Sequence, residues 1–161
     1  MTSERPIQIR EARADDPAIS ALVARHLAHS AEHTPPESIY AMDASGLLDP
    51  SISLFAAWDH QALLGMGALR DLSALGAAEA GEIKSMHTAA EARGRGIGAV
   101  LLSHILSEAR ARGYTALYLE TGSNEGYAAA RALYTRAGFE PCGPFGDHQG
   151  DPNSAYYRLA L

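Results

Sequence analysis

The stretch that most constrains this chain is Gly81 to Leu102, GEIKSMHTAAEARGRGIGAVLL. It reads as a strand, a short connection, a glycine-rich turn and the start of a helix. Ile83, Met86 and their neighbours suit a strand edge, and Thr88 to Glu91 breaks the pattern. Arg93-Gly94-Arg95-Gly96-Ile97-Gly98 then runs directly into Ala99-Val100-Leu101-Leu102. Glycines let a backbone approach a ligand closely. The first turn of a helix offers unpaired N–H groups and a partial positive charge, which together suit an anion. Arg93 and Arg95 add planar guanidinium groups that match phosphate oxygens. The turn is therefore a candidate pyrophosphate cradle.

Two phosphate motifs fail against it. A Walker A loop ends Gly-Lys-Ser/Thr, whereas Gly98 precedes Ala99-Val100. A dinucleotide fingerprint spaces its glycines G-x-G-x-x-G, whereas Gly94, Gly96 and Gly98 give G-x-G-x-G.

Periodicity supplies the other elements. Ile7 to Arg10 alternates as a first strand, and Asp15-Asp16-Pro17 opens a helix with its apolar stripe on Ile19, Leu22, Val23 and Leu27. His26, His29 and His33 fall on or just past this helix. Their spacing admits a metal, but no carboxylate–histidine motif accompanies them, and the reading preferred is surface or pocket-rim histidines. Thr34-Pro35-Pro36 ends the helix, and Glu37 to Met42 predicts a second, short one. Ile52 to Trp58 and Ala62 to Leu69 form a hairpin across Asp59-His60-Gln61, and Asp71 to Glu79 is a loop. Leu101, Leu102, Ile105, Leu106 and Ala109 stripe the helix after the glycine turn, which Gly113 ends. Thr115 to Glu120 alternates as a strand, Glu125 to Ala137 is a helix, and strands begin at Phe139 and Ser154. The order is β-α-α-β-β-β-α-β-α-β-β, in one domain spanning residues 1–161.

Arg93, Gly96 and Gly98, as R-x-x-G-x-G, resemble the acetyl-CoA pyrophosphate loop of the GNAT superfamily of N-acetyltransferases. Ala130-x-x-Leu133-Tyr134-x-x-x-Gly138-Phe139 resembles a second signature of that family, in the same order and with a strand between. Glu82-Ile-Lys-Ser-Met86-x-Thr88, Leu119-Glu120-Thr121-Gly122 and Asp151-Pro152-Asn153-Ser154 are similar to a bacterial subgroup of it. The resemblance implies an α/β (α+β) fold. Its mixed, mostly antiparallel twisted sheet has about six or seven strands, with about four flanking helices and a splayed parallel strand pair that binds CoA.

It also implies roles. Arg93, Gly94, Arg95, Gly96, Ile97, Gly98 and Ala99 would hold pyrophosphate, and the strand edge at Met86, His87 and Thr88 would pair with the pantetheine amides. Many members carry an asparagine seven residues before the second-motif tyrosine. That position is Tyr127 here, with Asn124 one turn earlier. Glu82 is the first candidate for general base, with Glu120 second and a water chain third. Simple alternation puts Glu82, Lys84 and Met86 on one face, and a bulge, common in this strand of the family, would change that. Tyr134 is the candidate acid for the thiolate. His26, Ser38, Tyr40 and Glu120 are acceptor-side candidates, with Asp147 and His148. The implied reaction is direct transfer of acetyl from acetyl-CoA to a primary amine of a small molecule, amino acid or peptide, with no metal. The alternative on the same fold is a non-catalytic acyl-CoA sensor, and outside the family a nucleotide-binding α/β protein.

Composition bounds these readings. Apolar residues make up 47% of 161, which suits a folded domain, and a formal charge of −6 argues against nucleic acid and anionic membrane as partners. Cys142, the single cysteine, excludes an internal disulfide. No apolar leader follows Met1, and the expectation is a cytoplasmic protein, with a homodimer left open by the family.

Overall fold

The computed structural model describes residues 6–77 and 79–161. The start of the stretch read for a leader, residues 1–5, and Ala78 of the Asp71–Glu79 loop lie outside them. Seven strands of the described residues form one sheet: β1 (Gln8–Ala12), β2 (Ile52–Asp59), β3 (Ala62–Asp71), β4 (Ala80–Thr88), β5 (Ala116–Gly122), β6 (Glu140–Pro141) and β7 (Ser154–Ala160), in the order β1-β2-β3-β4-β5-β7-β6. Every neighbouring pair is antiparallel except β4 and β5, which are parallel. Among the described residues three α-helices pack on it: α1 (Pro17–His33), α2 (Ile97–Ala111) and α3 (Ala128–Arg136).

Local chemistry explains the helix starts. Asp16 caps α1, its Oδ1 accepting from the N–H groups of Ala18 and Ile19 at 2.9 and 3.4 Å, and Pro17 occupies the first turn. Gly96 begins α2 at φ 76°, where an L side chain is strained, and brings no side-chain cap. The apolar stripe of α2 (Ile97, Leu101, Leu102, Ile105, Ala109) is buried against the sheet. Gly67 of β3 makes the close approach: a Cβ there would lie 2.9 Å from Ile105 Cδ1.

Two expectations change. No α-helix forms at Glu37–Met42. A single 3-10 turn, Pro36–Ser38, forms and stops at Ile39, which is extended at φ −87° and ψ 114°. The helix expected from Glu125 begins as a 3-10 turn, Glu125–Tyr127, and is regular only from Ala128.

β4 does not alternate simply. Its pairing with β3 slips between Met66 and Ala68, so Ser85 and Met86 together oppose Gly67, and Ser85 takes φ 55°. Glu82 and Lys84 share one face, and Met86 is turned off it toward Gly67 and α2.

Candidate functional site

The parallel ladder of β4 and β5 is short. It runs from Ala80↔Ala116 to Ile83↔Leu119 and stops. Beyond that rung β4 continues with β3, through Thr88↔Gly65, and β5 with β7, through Gly122↔Ser154. The strands part, and a cavity of 580 Å³ opens between their inner edges. Lys84 to Thr88 form one lip and Glu120 to Gly122 the other.

At one end lies the glycine turn. Arg93, Gly94, Gly96, Ile97, Gly98 and Ala99 line the cavity. The turn is open: a Cβ at Gly94 or Gly96 would meet nothing within 4 Å. Among the described residues the N–H groups of the first α2 turn have no capping side chain. Arg95 is not among the lining residues. It turns to Asp59 at 3.5 Å.

At the other end the walls are α1, the segment after it and the C-terminal loop. Tyr40 donates to Asp151 at 2.8 Å and Asn153 to Ser38 Oγ at 3.1 Å, tying residues 38–40 to the loop before β7. Those contacts replace the expected second helix as the means of fixing Ser38 and Tyr40, which both line the cavity.

Glu82 and Glu120 have different surroundings. Glu82 is almost fully buried, and its oxygens meet His148 Nε2 at 2.9 Å, Lys84 Nζ at 3.3 Å and Arg70 Nη1 at 3.4 Å. Burial alone would raise this carboxyl, but the His148 hydrogen bond and the Lys84 charge outweigh it and hold it below the ordinary value. Arg70 also grips Asp147 with two bonds of 3.3 Å. Glu82, Asp147 and His148 bring three metal-type donors within 4.8 Å. Arg70 and Lys84 already neutralise the two carboxylates, so the cluster is an ion-pair network. Asp147 and His148, expected on the acceptor side, are not among the lining residues; His148 meets Glu82, and Asp147 meets Arg70. Glu120 meets no such set of donors, and burial raises its carboxyl above the ordinary value.

Tyr134 is 5% exposed and lines the cavity from α3, and its hydroxyl meets no hydrogen-bond partner among the described residues. Burial, with the Glu120 charge, pushes its pKa up, so the phenol keeps its proton. Ser85 Oγ is also buried without a partner, at the bulge.

The histidines of α1 gather at the wall. His26 Nδ1 and His87 Nδ1 lie 3.2 Å apart, and the His29 and His33 rings meet at a tilt of 55° with centroids at 4.5 Å. Burial, then the neighbouring imidazoles, lowers His26 to about 3; burial, His29 and Arg93 lower His87 to about 4. Both rings are neutral near pH 7. His26 and His29 line the cavity.

Tyr127 also lines it, standing over Gly122 with its hydroxyl 2.7 Å from Thr34 Oγ1. Asn124 does not. Its side-chain oxygen caps Gly126 N at 2.9 Å and its nitrogen donates to His33 O at 2.6 Å.

Sequence reasoning missed Lys84, Ser85 and Thr34 as site residues. The i, i+2 spacing of Glu82 and Lys84 on one strand signals the first. Ser85 needs the bulge, and Thr34 needs the fold, since its partner is 93 positions away.

Comparison with known proteins follows the same lines. The family model described as "Acetyltransferase (GNAT) family" matches residues 18–139. The uncharacterized N-acetyltransferase YedL of Escherichia coli (strain K12) is 39% identical over 145 residues, covering 90% of this chain and 89% of that protein. The uncharacterized N-acetyltransferase YsnE of Bacillus subtilis (strain 168) is 42% identical over 143 residues, covering 89% and 92%. A crystal structure from Klebsiella pneumoniae, of a protein provisionally described as an acyl-CoA N-acyltransferase, superposes with a TM-score of 0.78 at 27% identity, covering 98% of this chain and 99% of that one.

Proposed function

The chain belongs to the GNAT acetyltransferase family and is an acetyltransferase, and on that premise we propose that it moves the acetyl group of acetyl-CoA to a primary amine. The transfer is direct, within a ternary complex, in one domain that spans the chain. The observation that carries this reading is the parting of β4 and β5 after Ile83↔Leu119, with the open glycine turn at one end of the resulting cavity and Tyr134 in its wall.

The first α2 turn and Arg93 hold the pyrophosphate, and Arg95 contributes long-range charge only. The freed edge of β4 at Met86 to Thr88 pairs with the pantetheine amides, as an added strand would. Backbone N–H groups on that edge stabilise the oxyanion that develops on the thioester carbonyl. Tyr127 shapes the wall of the arm through its hydrogen bond to Thr34, and Asn124 acts by capping α3's lead-in turn.

The base is Glu120 rather than Glu82. A lysine-like amine has a pKa near 10.4 and must lose a proton before it attacks. Glu82 is engaged by three donors and depressed, so it is a weak acceptor. Glu120 lines the cavity, is held by no such donors and is raised by burial, which makes it the better base. Glu120 takes one proton from the bound ammonium, and the neutral amine nitrogen then bonds to the acetyl carbon. The carbon–sulfur bond breaks, the thiolate takes the Tyr134 proton, and the second proton of the nitrogen returns to Tyr134, leaving a neutral amide and a restored phenol. Cys142 stands outside the cavity lining, and its thiol is raised by burial, so a covalent acetyl-cysteine has no support.

Titration with acetyl-CoA, CoA, ATP and NAD tests the reading. Acetyl-CoA at about 100 times its Kd stabilises the protein by about 2.7 kcal/mol, and Gly96→Asp loses the response. Response to ATP or NAD, with none to either CoA species, refutes it.

A further inference from the structure

Just past the last rung of the parallel ladder two charged residues stand opposite one another. Partners in a parallel register point to the same face of a sheet. Glu82↔Tyr118 and Ile83↔Leu119 are the final rungs, so Lys84 and Glu120 are the first residues past the fork, level with each other and on one face. Both line the cavity. Among the described residues they form no ion pair with each other: Lys84 meets Glu82 at 3.3 Å, and Glu120 is in no salt bridge.

Lys84 can serve a ligand as well as Glu82. Its ammonium has three donors, and Glu82 keeps Arg70 and His148 as partners in any case. The four groups Arg70, Lys84, Glu82 and Asp147 balance to zero charge among themselves. With Glu120 that end of the cavity has one carboxylate in excess, and Lys84 and Glu120 stand side by side across a fork, so a ligand carboxylate is selected by its local contact with Lys84 and not by the net field.

We propose that the acceptor is a free amino acid, held with its ammonium at Glu120 and its carboxylate at Lys84. This rests on the acetyl-transfer reading above and narrows its amine to a dipolar one. A decarboxylated amine leaves the Lys84 ammonium without a ligand partner. A polyamine sets like charge against it, and a peptide N-terminus has an amide where the carboxylate should be. Ser38, Tyr40 and Asn153 line the same cavity.

The test is release of free CoA thiol from acetyl-CoA with a panel of amino acids, each run beside its carboxamide and its decarboxylated amine. For the amino acids that are acetylated, kcat/KM exceeds that of both analogues by at least about 30-fold, as expected when a site built for a charged group is offered a neutral one. Lys84→Gln raises KM for the acid and leaves the carboxamide nearly unchanged, so the preference collapses. Lys84→Arg retains part of it. Equal rates for acid and analogues in the wild-type protein overturn the inference while transfer to amines stands, and that comparison decides even where Lys84→Gln fails to fold. An equal fall for acid and carboxamide in a folded Lys84→Gln also overturns it. Binding of acetyl-CoA with no acetylation of any amine in the panel overturns both readings.

Discussion

Acid should loosen this protein through the histidine pair that joins α1 to the β4 edge. His26 and His87 are expected to titrate near 6.5 when unfolded, and near 3 and 4 when folded. A depressed folded pKa means the unfolded chain binds more protons, so stability rises with pH over this range. The contribution is complete above pH 6.5 and is lost as pH falls toward 4 and then 3. Taken at full value, the change from pH 7 to pH 5 costs about 1.9 kcal/mol for each ring. Both rings border the cavity, so solvent screening cuts the pair to about 2–3 kcal/mol. For a chain of this size that is a fall in Tm of roughly 4–12 °C. His29, Arg25 and Arg93 face the same pair and add to the cost of protonating it. Glu120, raised by burial, works in the opposite direction, gaining stability as pH falls through its folded pKa. The assay is thermal unfolding at pH 7 and pH 5 for the wild type and for His26→Gln with His87→Gln. The double variant removes most of the pH-dependent fall, whatever its absolute Tm. An equal fall in both proteins refutes the reasoning, because the acid sensitivity would then reside elsewhere.

Other consequences are simpler to read. Glu82→Gln leaves Lys84 and Arg70 without their buried carboxylate and costs about 3 kcal/mol, a Tm loss of roughly 6–12 °C in a melting experiment. Tyr134→Phe removes a hydroxyl with no protein partner, so Tm stays within about 1 °C while kcat falls by at least about 100-fold in steady-state assays. Gly122→Ala drives a methyl into the Tyr127 ring and breaks the Thr34 contact; chemical denaturation should show a loss of about 1–3 kcal/mol.

Much of the frame was legible because it is written in local patterns. The alternation of Leu117 and Leu119, the stripe of α2 and the proline at the start of α1 each fix an element without reference to the rest. The glycine turn was legible for the same reason, since a helix N-terminus with glycines before it has one electrostatic character wherever it occurs. The segment Glu37–Met42 was misread because its apolar residues fit a helix, while the contacts that fix Ser38 and Tyr40 come from Asn153 and Asp151, more than 100 positions away. The proposed mechanism reverses the ranking of Glu82 over Glu120 for a related cause. Both are strand carboxylates in sequence, and only the fold brings His148 and Arg70 onto one and leaves the other facing the cavity. Asn124 and Arg95 carry the right chemistry for a CoA site, but a helix cap and Asp59 respectively claim their side chains.

Acetyl transfer, as proposed, runs directly across the fork between β4 and β5. Initial rates over a grid of acetyl-CoA and amino-acid concentrations test this, with the enzyme examined by mass spectrometry after acetyl-CoA alone. Direct transfer gives intersecting double-reciprocal lines, no acetylated protein, and loss of turnover in Glu120→Gln with acetyl-CoA binding retained. Parallel lines with an acetyl group on Cys142 would contradict it.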